Sequence, residues 1–386
     1  MSDLFATQWR ILQRDRWLLS CLTWIPLILV VSIWAIFSQG IARNLPIGVV
    51  DLSHSQLSRQ LSRNYDATAT LSVTHHFADV AEAKQALISS QVYAYVVIPD
   101  NFDKDIYRGL PPEVSAFYNS QTILIGKLIG SALVQAQATF NARIDASKAL
   151  AKGNSTVGSA VGTALPVQTQ ITPLFNKNAN YAQFLVSAIV PALWQIIIVV
   201  STILVLAANH RDRGLTQWLQ SEPTTQWFHT LLPYFPVFMV QGFTFLCWFY
   251  LGFDWPMNGS LLVLMFAQGL TVMACMIMGS FFFFLTLDPA RAMSFAGAFT
   301  APSFAFMGIT FPVTDMNSLA QFWRSLLPIS HYIEAQVSQV SYGQFWVNTA
   351  LGLLSMSGYL LPALISVLLI KKHLSRHNSL YSQEAK

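Results

Sequence analysis

The sequence predicts an α-helical integral membrane protein with six transmembrane helices, plus an α/β extracytoplasmic domain inserted between helices 1 and 2. The first observation is composition: 53% of the 386 residues are hydrophobic and only 10% are charged, whereas soluble domains usually carry about 25% charged residues. The second is that six long stretches contain no Asp, Glu, Lys or Arg. The third is that half of all charged residues fall in one segment, 38–181, between the first two of these stretches.

Each uncharged stretch is longer than the roughly 20 apolar residues that cross a bilayer core. The approximate cores of the six predicted spans are 18–37, 182–207, 229–251, 261–285, 293–311 and 349–370. The alternative for the first is a cleaved signal peptide, but such peptides have an apolar part of only about 7 to 15 residues. We therefore prefer an uncleaved helix.

Basic residues assign the sides of the membrane. Ten Lys and Arg residues flank one set of helix ends, whereas the short loops of the other set contain only Arg324. Because cytoplasmic loops collect Lys and Arg, we expect both termini in the cytoplasm, with an interfacial segment at 1–17 and a tail at 371–386. The same placement accounts for the net charge of +4, so no nucleic-acid partner is expected.

Segment 38–181 has the composition of a soluble domain, with 11 basic and 9 acidic residues. Four β-rich runs alternate with helix-compatible runs, which favours an α/β layer; they are LPIGVVDL, ATLSVTHHF, VYAYVVIP and EVSAFYN. A long helix at 121–152 is too polar for a seventh span, and GNSTVGSAVGTALP is expected to be a flexible connector. All three cysteines lie in predicted spans, so no disulfide is expected in this domain.

The first 17 residues are predicted to form an interfacial helix. Phe5, Trp9 and Leu12 recur at helical spacing, and arginines nearby are available for lipid headgroups. Such a helix lies along the cytoplasmic leaflet of the lipid bilayer. The alternative is a plain cytoplasmic extension of helix 1.

A small island of charge follows helix 2, in the predicted cytoplasmic loop 208–226. Its members of interest are Arg211, Asp212, Arg213, Gly214, Leu215, Trp218 and Leu219. We expect a coupling helix at 211–222, which Pro223 ends. Leu215, Trp218 and Leu219 recur at i, i+3 and i+4, so this helix presents one apolar stripe with a charged rim, as protein interfaces do. Trp218 is the expected anchor. The alternative is a stripe that rests on the membrane surface.

Motifs of catalysis and metal binding are missing from the sequence. It has no G-x-x-x-x-G-K-[ST], H-E-x-x-H or G-x-S-x-G and no Cys/His metal spacing, so no enzymatic activity, cofactor or metal site is predicted in this chain. His75 and His76 are interpreted as surface residues, because neighbouring strand positions face opposite sides. The centres of the spans lack Asp, Glu, Lys and Arg, which disfavours an ion-coupled secondary carrier.

Four places resemble the membrane subunits of type-2 ABC transporters, the ABC-2 permease family. They are QWRILQRDRWLLSCLTWIP at the N-terminus, IGVVDLSHSQLSRQL with VYAYVVIPDNFDKDIYRG in the outer domain, the island HRDRGLT, and PSFAFMGITFPVTDMNSLAQFWRSLLPISHYIEA. Where relatives usually have an acidic-Arg-acidic-x-Gly-Thr run, this chain has HRDRGLT. The last segment keeps the family's spacing at Gly308, Pro312, Met316, Pro328 and Tyr332. Its prolines and charges disfavour a continuous span, so we expect an outer re-entrant segment of short helices.

The resemblance implies the permease subunit of an ATP-driven exporter in a bacterial inner membrane. ATP and Mg²⁺ would be bound by a separate cytoplasmic ABC ATPase, docked on the island of charge. A second copy or a paralogous permease would complete a twelve-helix core, with room for a periplasmic adaptor, and the cargo would be amphipathic or hydrophobic, such as a drug or lipid. The alternative is a non-transporting membrane receptor or scaffold whose outer domain binds a partner.

Overall fold

The computed structural model describes residues 2–40, 42–151, 156–164, 174–176, 180–219 and 222–384. The chain divides into two compact units. We call Met1–Gly40 together with Pro173–Lys386 the helical unit, and Ile41–Thr172 the sheet unit.

The helices and strands follow the chain in a simple order. Up to residue 164 they are α1 Ser2–Arg14, α2 Arg16–Leu22, α3 Trp24–Ile36, β1 Leu45–Asp51, α4 Gln56–Asp66, β2 Leu71–Phe77, α5 Val80–Ile88, β3 Ala94–Ile98, α6 Phe102–Arg108, β4 Ser115–Tyr118, α7 Ile123–Ala151 and α8 Val157–Ala164. After it they are α9 Tyr181–Leu219, α10 Pro223–Leu231, α11 Phe235–Cys247, α12 Leu261–Thr286, α13 Pro289–Thr300, α14 Ser303–Phe306, α15 Ser318–Leu326, α16 Pro328–Val340, α17 Trp346–Leu353 and α18 Leu360–Glu384.

The sheet unit is built on a four-stranded sheet of order β2-β1-β3-β4. Strand β1 pairs in parallel with both β2 and β3, and β4 is antiparallel to β3. Parallel strands need a crossover connection, and α4 and α5 supply the two crossovers. The four predicted strand runs and the three helical runs between them are present as β1 to β4 and α4 to α6.

Helix α7 packs against the sheet and completes the core of this unit. Its Ile129, Leu133 and Phe140 are buried with residues of the strands and of α4. Tyr65 on α4 donates a hydrogen bond to Oε1 of Gln137 on α7 at 2.6 Å. Burial raises the pKa of the Tyr65 phenol, so it remains a donor at neutral pH. The apolar face of α7 is thus occupied by the sheet unit, although its length and composition would allow it to cross a membrane.

The predicted flexible connector GNSTVGSAVGTALP is partly helical. Helix α8 covers 157–164, because Val and Ala at positions 157, 160, 161 and 164 recur at helical spacing between the glycines. Residues 152–155 and 165–173 lie outside the described part of the chain.

The helical unit contains most of the membrane-spanning candidates. Over the described ranges, five helices are long and apolar enough to cross a membrane, or up to six if α2 and α3, which bend by 45°, form one span. One of the five is α7, and the others are 181–219, 223–252, 261–286 and 346–376. These four and the bent pair coincide with five of the six predicted spans.

The predicted span 293–311 is wrong as a single helix. Helix α13 ends at Thr300 after 12 residues, about 18 Å at 1.5 Å per residue, which is shorter than the roughly 30 Å hydrocarbon core. Pro302 follows, α14 has only four residues, and Gly308 then takes a φ of +88°. The absence of charge predicted a span, but proline and glycine interrupt the helix.

Helix α9 contains Pro191 in its interior. Proline has no N–H, so the carbonyl of Ser187, four residues earlier, loses its helical hydrogen bond. The buried side chain of Gln336 on α16 donates to that carbonyl at 2.9 Å. An unpaired buried carbonyl is costly, and a side chain from another helix therefore replaces the missing backbone donor.

Candidate coupling site

Helix α9 breaks inside the island of charge, directly after its three charged residues, Arg211, Asp212 and Arg213. Gly214 has φ 66° and ψ 164°, a region that is essentially restricted to glycine. The helix that starts at Tyr181 therefore ends at the charged triplet, and a short turn, 215–219, follows. The prediction of one coupling helix at 211–222 is wrong because this glycine divides it. Residues 220 and 221 lie outside the described ranges, and Pro223 begins α10 rather than ending a helix.

Two residues at the junction of α1 and α2, Arg14 and Asp15, form ion pairs with the charged residues of the island. Arg211 forms an ion pair with Asp15 at 3.1 Å, and Asp212 forms one with Arg14 at 3.8 Å. The side chains of Arg14 and Arg211 are 79% and 71% exposed. Solvent screens such pairs, and each contributes at most about 1 kcal/mol. The side chains of Arg14, Arg211 and Asp212 therefore form a surface of mixed charge that solvent and a partner protein can reach.

A buried pair of amides lies beside these ion pairs. Gln8 of α1 and Asn209 of α9 exchange two hydrogen bonds, of 3.0 and 3.2 Å. The hydroxyl of Tyr234 donates to Oε1 of Gln8 at 3.2 Å, and Arg213 donates to Oδ1 of Asn209. Gln8 is 4% exposed and Asn209 is fully buried. Because either amide alone would be left unsatisfied, the pair fixes α1 against the end of α9.

The apolar stripe of the island faces the interior of the helical unit. Leu215, Trp218 and Leu219 are 8%, 3% and 0% exposed. Trp218 stacks on Phe284 of α12, with ring centroids 6.3 Å apart, and its Nε1 donates to Oγ1 of Thr230 at 2.9 Å. The expectation that Trp218 is an anchor for another protein is wrong, because helices of the same chain already cover its ring and bind its N–H.

Helix α1 packs through a different face from the one that its apolar residues predicted. Trp9 is 61% exposed, and Leu12 is half-buried against the core of the helical unit. The side chain of Phe5 lies outside the described part of the chain. The residues that hold α1 are Gln8 and Ile11, which are 4% and 6% exposed. With Asp15 they fall at i, i+3 and i+7, a spacing that would have indicated this face.

The segment after α14 consists of short elements. Gly308 has a positive φ, Pro312 precedes a 3₁₀ turn at Val313–Asp315, and Pro328 is the first residue of α16. Met316 is 8% exposed and Tyr332 is fully buried. Proline is favoured at the first position of a helix and disfavoured inside one. The chain is therefore divided into pieces that are individually too short to cross a bilayer.

A buried glutamine joins α9 to these short elements. Oε1 of Gln195 accepts from the N–H of Ile329 at 2.9 Å, and its Nε2 donates to Oγ of Ser303 at 3.0 Å. The N–H of Ile329 belongs to the first turn of α16, where no helical carbonyl is available. A side chain of α9 thus provides the acceptor for a backbone N–H that the first turn of α16 leaves without one.

A cavity of about 360 Å³ lies beside α16 and α17. Its wall carries Arg324, which is bonded to Glu334 at 2.8 Å, and the ring of His331. The arginine side chain is only 14% exposed. In the described part of the chain, no group of three or more His, Cys, Asp or Glu side chains is placed to hold a metal ion.

Comparison with known families agrees with the resemblance noted in the sequence. A family model described as an ABC-2 family transporter protein matches residues 16–369. No curated protein matches the chain. The matched range includes the sheet unit, the island of charge and the short elements after α14, so the predicted family is confirmed. The chain therefore belongs to the ABC-2 transporter family: it is a multi-pass membrane permease, not itself a catalytic enzyme, from a family that generally works with a cytoplasmic ATPase.

Proposed function

We propose that this permease forms half of the membrane core of an ATP-driven exporter, which moves an amphipathic or hydrophobic cargo out across a bacterial inner membrane. The other half is a second copy or a paralogous permease, and a periplasmic adaptor is compatible with this arrangement. The family match over residues 16–369 carries the proposal. The sequence has no nucleotide-binding loop, so the separate ATPase binds ATP and Mg²⁺.

The orientation that we propose places both termini in the cytoplasm and the sheet unit outside it. The distribution of Lys and Arg supports this orientation, since ten of them flank one set of helix ends. Helix α1 then lies at the cytoplasmic leaflet. Its exposed Trp9 suits the headgroup region, where tryptophan is favoured.

The ATPase docks, in this proposal, on the exposed charges of the island rather than on its apolar stripe. Arg14, Arg211 and Asp212 are accessible, and they lie at the junction of α1 with the end of α9. Charged groups of both signs at a rim set the register and association rate of a partner. The buried Gln8 and Asn209 pair behind them makes α1 and α9 move as one body when the rim is displaced.

Purification of the permease with its ATPase tests the function. The tagged chain is isolated from the membranes of its own host, and a co-purifying chain with a nucleotide-binding loop is identified by mass spectrometry. In proteoliposomes, hydrophobic dyes or lipids are expected to stimulate ATP hydrolysis by this complex. A permease that retains a soluble outer partner but no ATPase would instead be a receptor or scaffold.

Replacement of Asp212 by lysine is expected to weaken ATPase retention. The change reverses an exposed charge in the proposed rim, and one lost charge-assisted contact of about 1.4 kcal/mol corresponds to a tenfold lower affinity. Retention is measured by size-exclusion chromatography of the complex. The control, Asp315→Lys, reverses an exposed charge in the predicted outer segment. If the two variants retain the ATPase equally, the rim is not the docking surface.

A further inference from the structure

The sheet unit contains a cleft at the carboxyl edge of its parallel strands. Strands β1 and β2 are neighbours and parallel, so their ends at Asp51 and Phe77 lie at the same edge. A cavity of about 600 Å³ opens there, between the two strand ends and α4. This is the edge at which open α/β sheets bind ligands, and the volume lies in the range of small-molecule sites.

Basic side chains from three places converge on this cleft. Arg59 and Arg63 lie one turn apart on α4, His54 comes from the loop after β1, and His76 comes from the end of β2. Residues four apart on a helix share a face, which explains why both arginines line the same cavity. All four residues are exposed, so a ligand can reach them from solvent.

The donors of this cleft are largely unused within the chain. Among the described residues Arg59 donates one bond, from Nη1 to the carbonyl of His54 at 2.8 Å, and the rest of its guanidinium has no partner there. Within the ranges that the structure covers, the side chain of Arg63 and the ring of His76 have no hydrogen bond or ion pair. A guanidinium has five N–H donors and no acceptor, so these groups present many donors to the cavity.

The one carboxylate that lines the cleft, Asp51, offsets only one of the two guanidinium charges. Asp51 accepts from the N–H groups of Ser53 and His54 at 3.1 and 3.0 Å, and from Oγ of Ser58 at 2.7 Å. These bonds hold both of its oxygens to the loop and to α4. Glu82, which does not line the cavity, accepts from the N–H of Ala78 at 3.2 Å. The arginines therefore face the cavity without a carboxylate partner, and the cavity attracts anions.

We propose that this cleft binds a phosphate group, carried by a soluble molecule or by a lipid headgroup. The planar fork of arginine matches the oxygens of phosphate in a bidentate manner, and two guanidiniums with two imidazoles supply donors to several oxygens at once. The assignment is independent of the export function, since it rests only on the sheet unit. His76, interpreted from the sequence as an ordinary surface residue, becomes part of a binding site.

The test uses the full chain in a neutral detergent, with inorganic pyrophosphate as the soluble probe and phosphatidic acid dispersed in the same detergent as the lipid probe. Calorimetric titration is expected to show saturable binding of at least one probe, weaker at higher salt. The double variant R59Q/R63Q is expected to lower that affinity by about tenfold or more, since it removes two charge-assisted contacts. Binding of pyrophosphate identifies a soluble source, and binding of phosphatidic acid alone identifies a lipid.

The matched control is K104Q/R108Q, which removes two exposed positive charges from α6, outside the cleft. It should bind the probe as the unchanged chain does. The proposal is overturned if neither probe binds, if R59Q/R63Q binds as well as the unchanged chain, or if the control loses affinity equally. If the double variant does not fold, the single variant R63Q, at a side chain without an internal partner, decides the question in the same titration.

Discussion

Replacement of Trp218 by alanine is expected to lower the free energy of unfolding by about 3–5 kcal/mol, the usual cost of removing a large buried aromatic side chain. The indole is 3% exposed, stacks on Phe284 and donates to Thr230. Its removal leaves a cavity between the turn 215–219 and α12. The loss of stability is measured by heating the detergent-purified chain to a series of temperatures and determining, by size-exclusion chromatography, how much folded protein remains at each.

Two other tryptophan variants separate packing from docking. Trp9→Ala removes an indole that is 61% exposed, and we expect a change within about 0.5 kcal/mol. Trp218→Phe keeps much of the packing but loses the hydrogen bond to Thr230, a cost of about 1 kcal/mol. If Trp218→Ala melts at the same temperature as Trp9→Ala, the indole is not packed as described, and it again becomes a candidate anchor for the ATPase.

Replacement of Gly279 by alanine is expected to destabilise the contact between α9 and α12. An added Cβ would lie 2.8 Å from the carbonyl oxygen of Val199 and 2.9 Å from Cβ of Thr202. Both atoms are close to the backbone of α9, so a rotamer change cannot relieve the clash. Small residues at such positions let helices in membranes approach closely, and overpacking there costs about 1–3 kcal/mol. We expect the melting temperature of the purified Gly279→Ala chain to be lower than that of the unchanged chain.

Gly269 on the same helix provides the control. A Cβ at this position meets no atom closer than 3.9 Å. Alanine is a better helix former than glycine by up to about 1 kcal/mol, so Gly269→Ala is expected to leave the melting temperature unchanged or to raise it. Equal losses in the two variants would contradict a specific close approach at Gly279.

The sequence predicted elements whose signals are local. Strands β1 to β4 were predictable because β-branched and aromatic residues form short runs between turn residues. The span at 293–311 was not, because the absence of charge says nothing about helix continuity, and Pro302 and Gly308 interrupt the helix. By length and composition α7 could cross a membrane, whereas its interspersed polar residues predicted that it is not a span, and the structure packs it on the sheet.

At the candidate site, the sequence predicted which residues are buried but not what buries them, because contacts between distant parts of the chain decide what covers an apolar stripe. The spacing of Leu215, Trp218 and Leu219 correctly showed that one face is covered. It did not show that the cover is Phe284 of the same chain rather than an ATPase. The pair of Gln8 and Asn209 joins positions 201 residues apart, and no periodicity links two single amides at that separation.

The continuity of α9 has a mechanical consequence. From Tyr181 to Arg213 it is a rod of about 50 Å, without a non-helical residue before Gly214. Near its middle, Val199 and Thr202 lie against Gly279 with almost no clearance, so a rigid tilt of the helix would turn about this contact. One degree of rigid tilt about Thr202 would move Arg211, about 14 Å away along the axis, by about 0.2 Å, and it would move Ser187, about 22 Å away, by about 0.4 Å in the opposite direction. A displacement of the charged end would therefore move α16 and α14 the opposite way, because Gln336 binds Ser187 and Gln195 binds Ile329 and Ser303 on the other side of the contact.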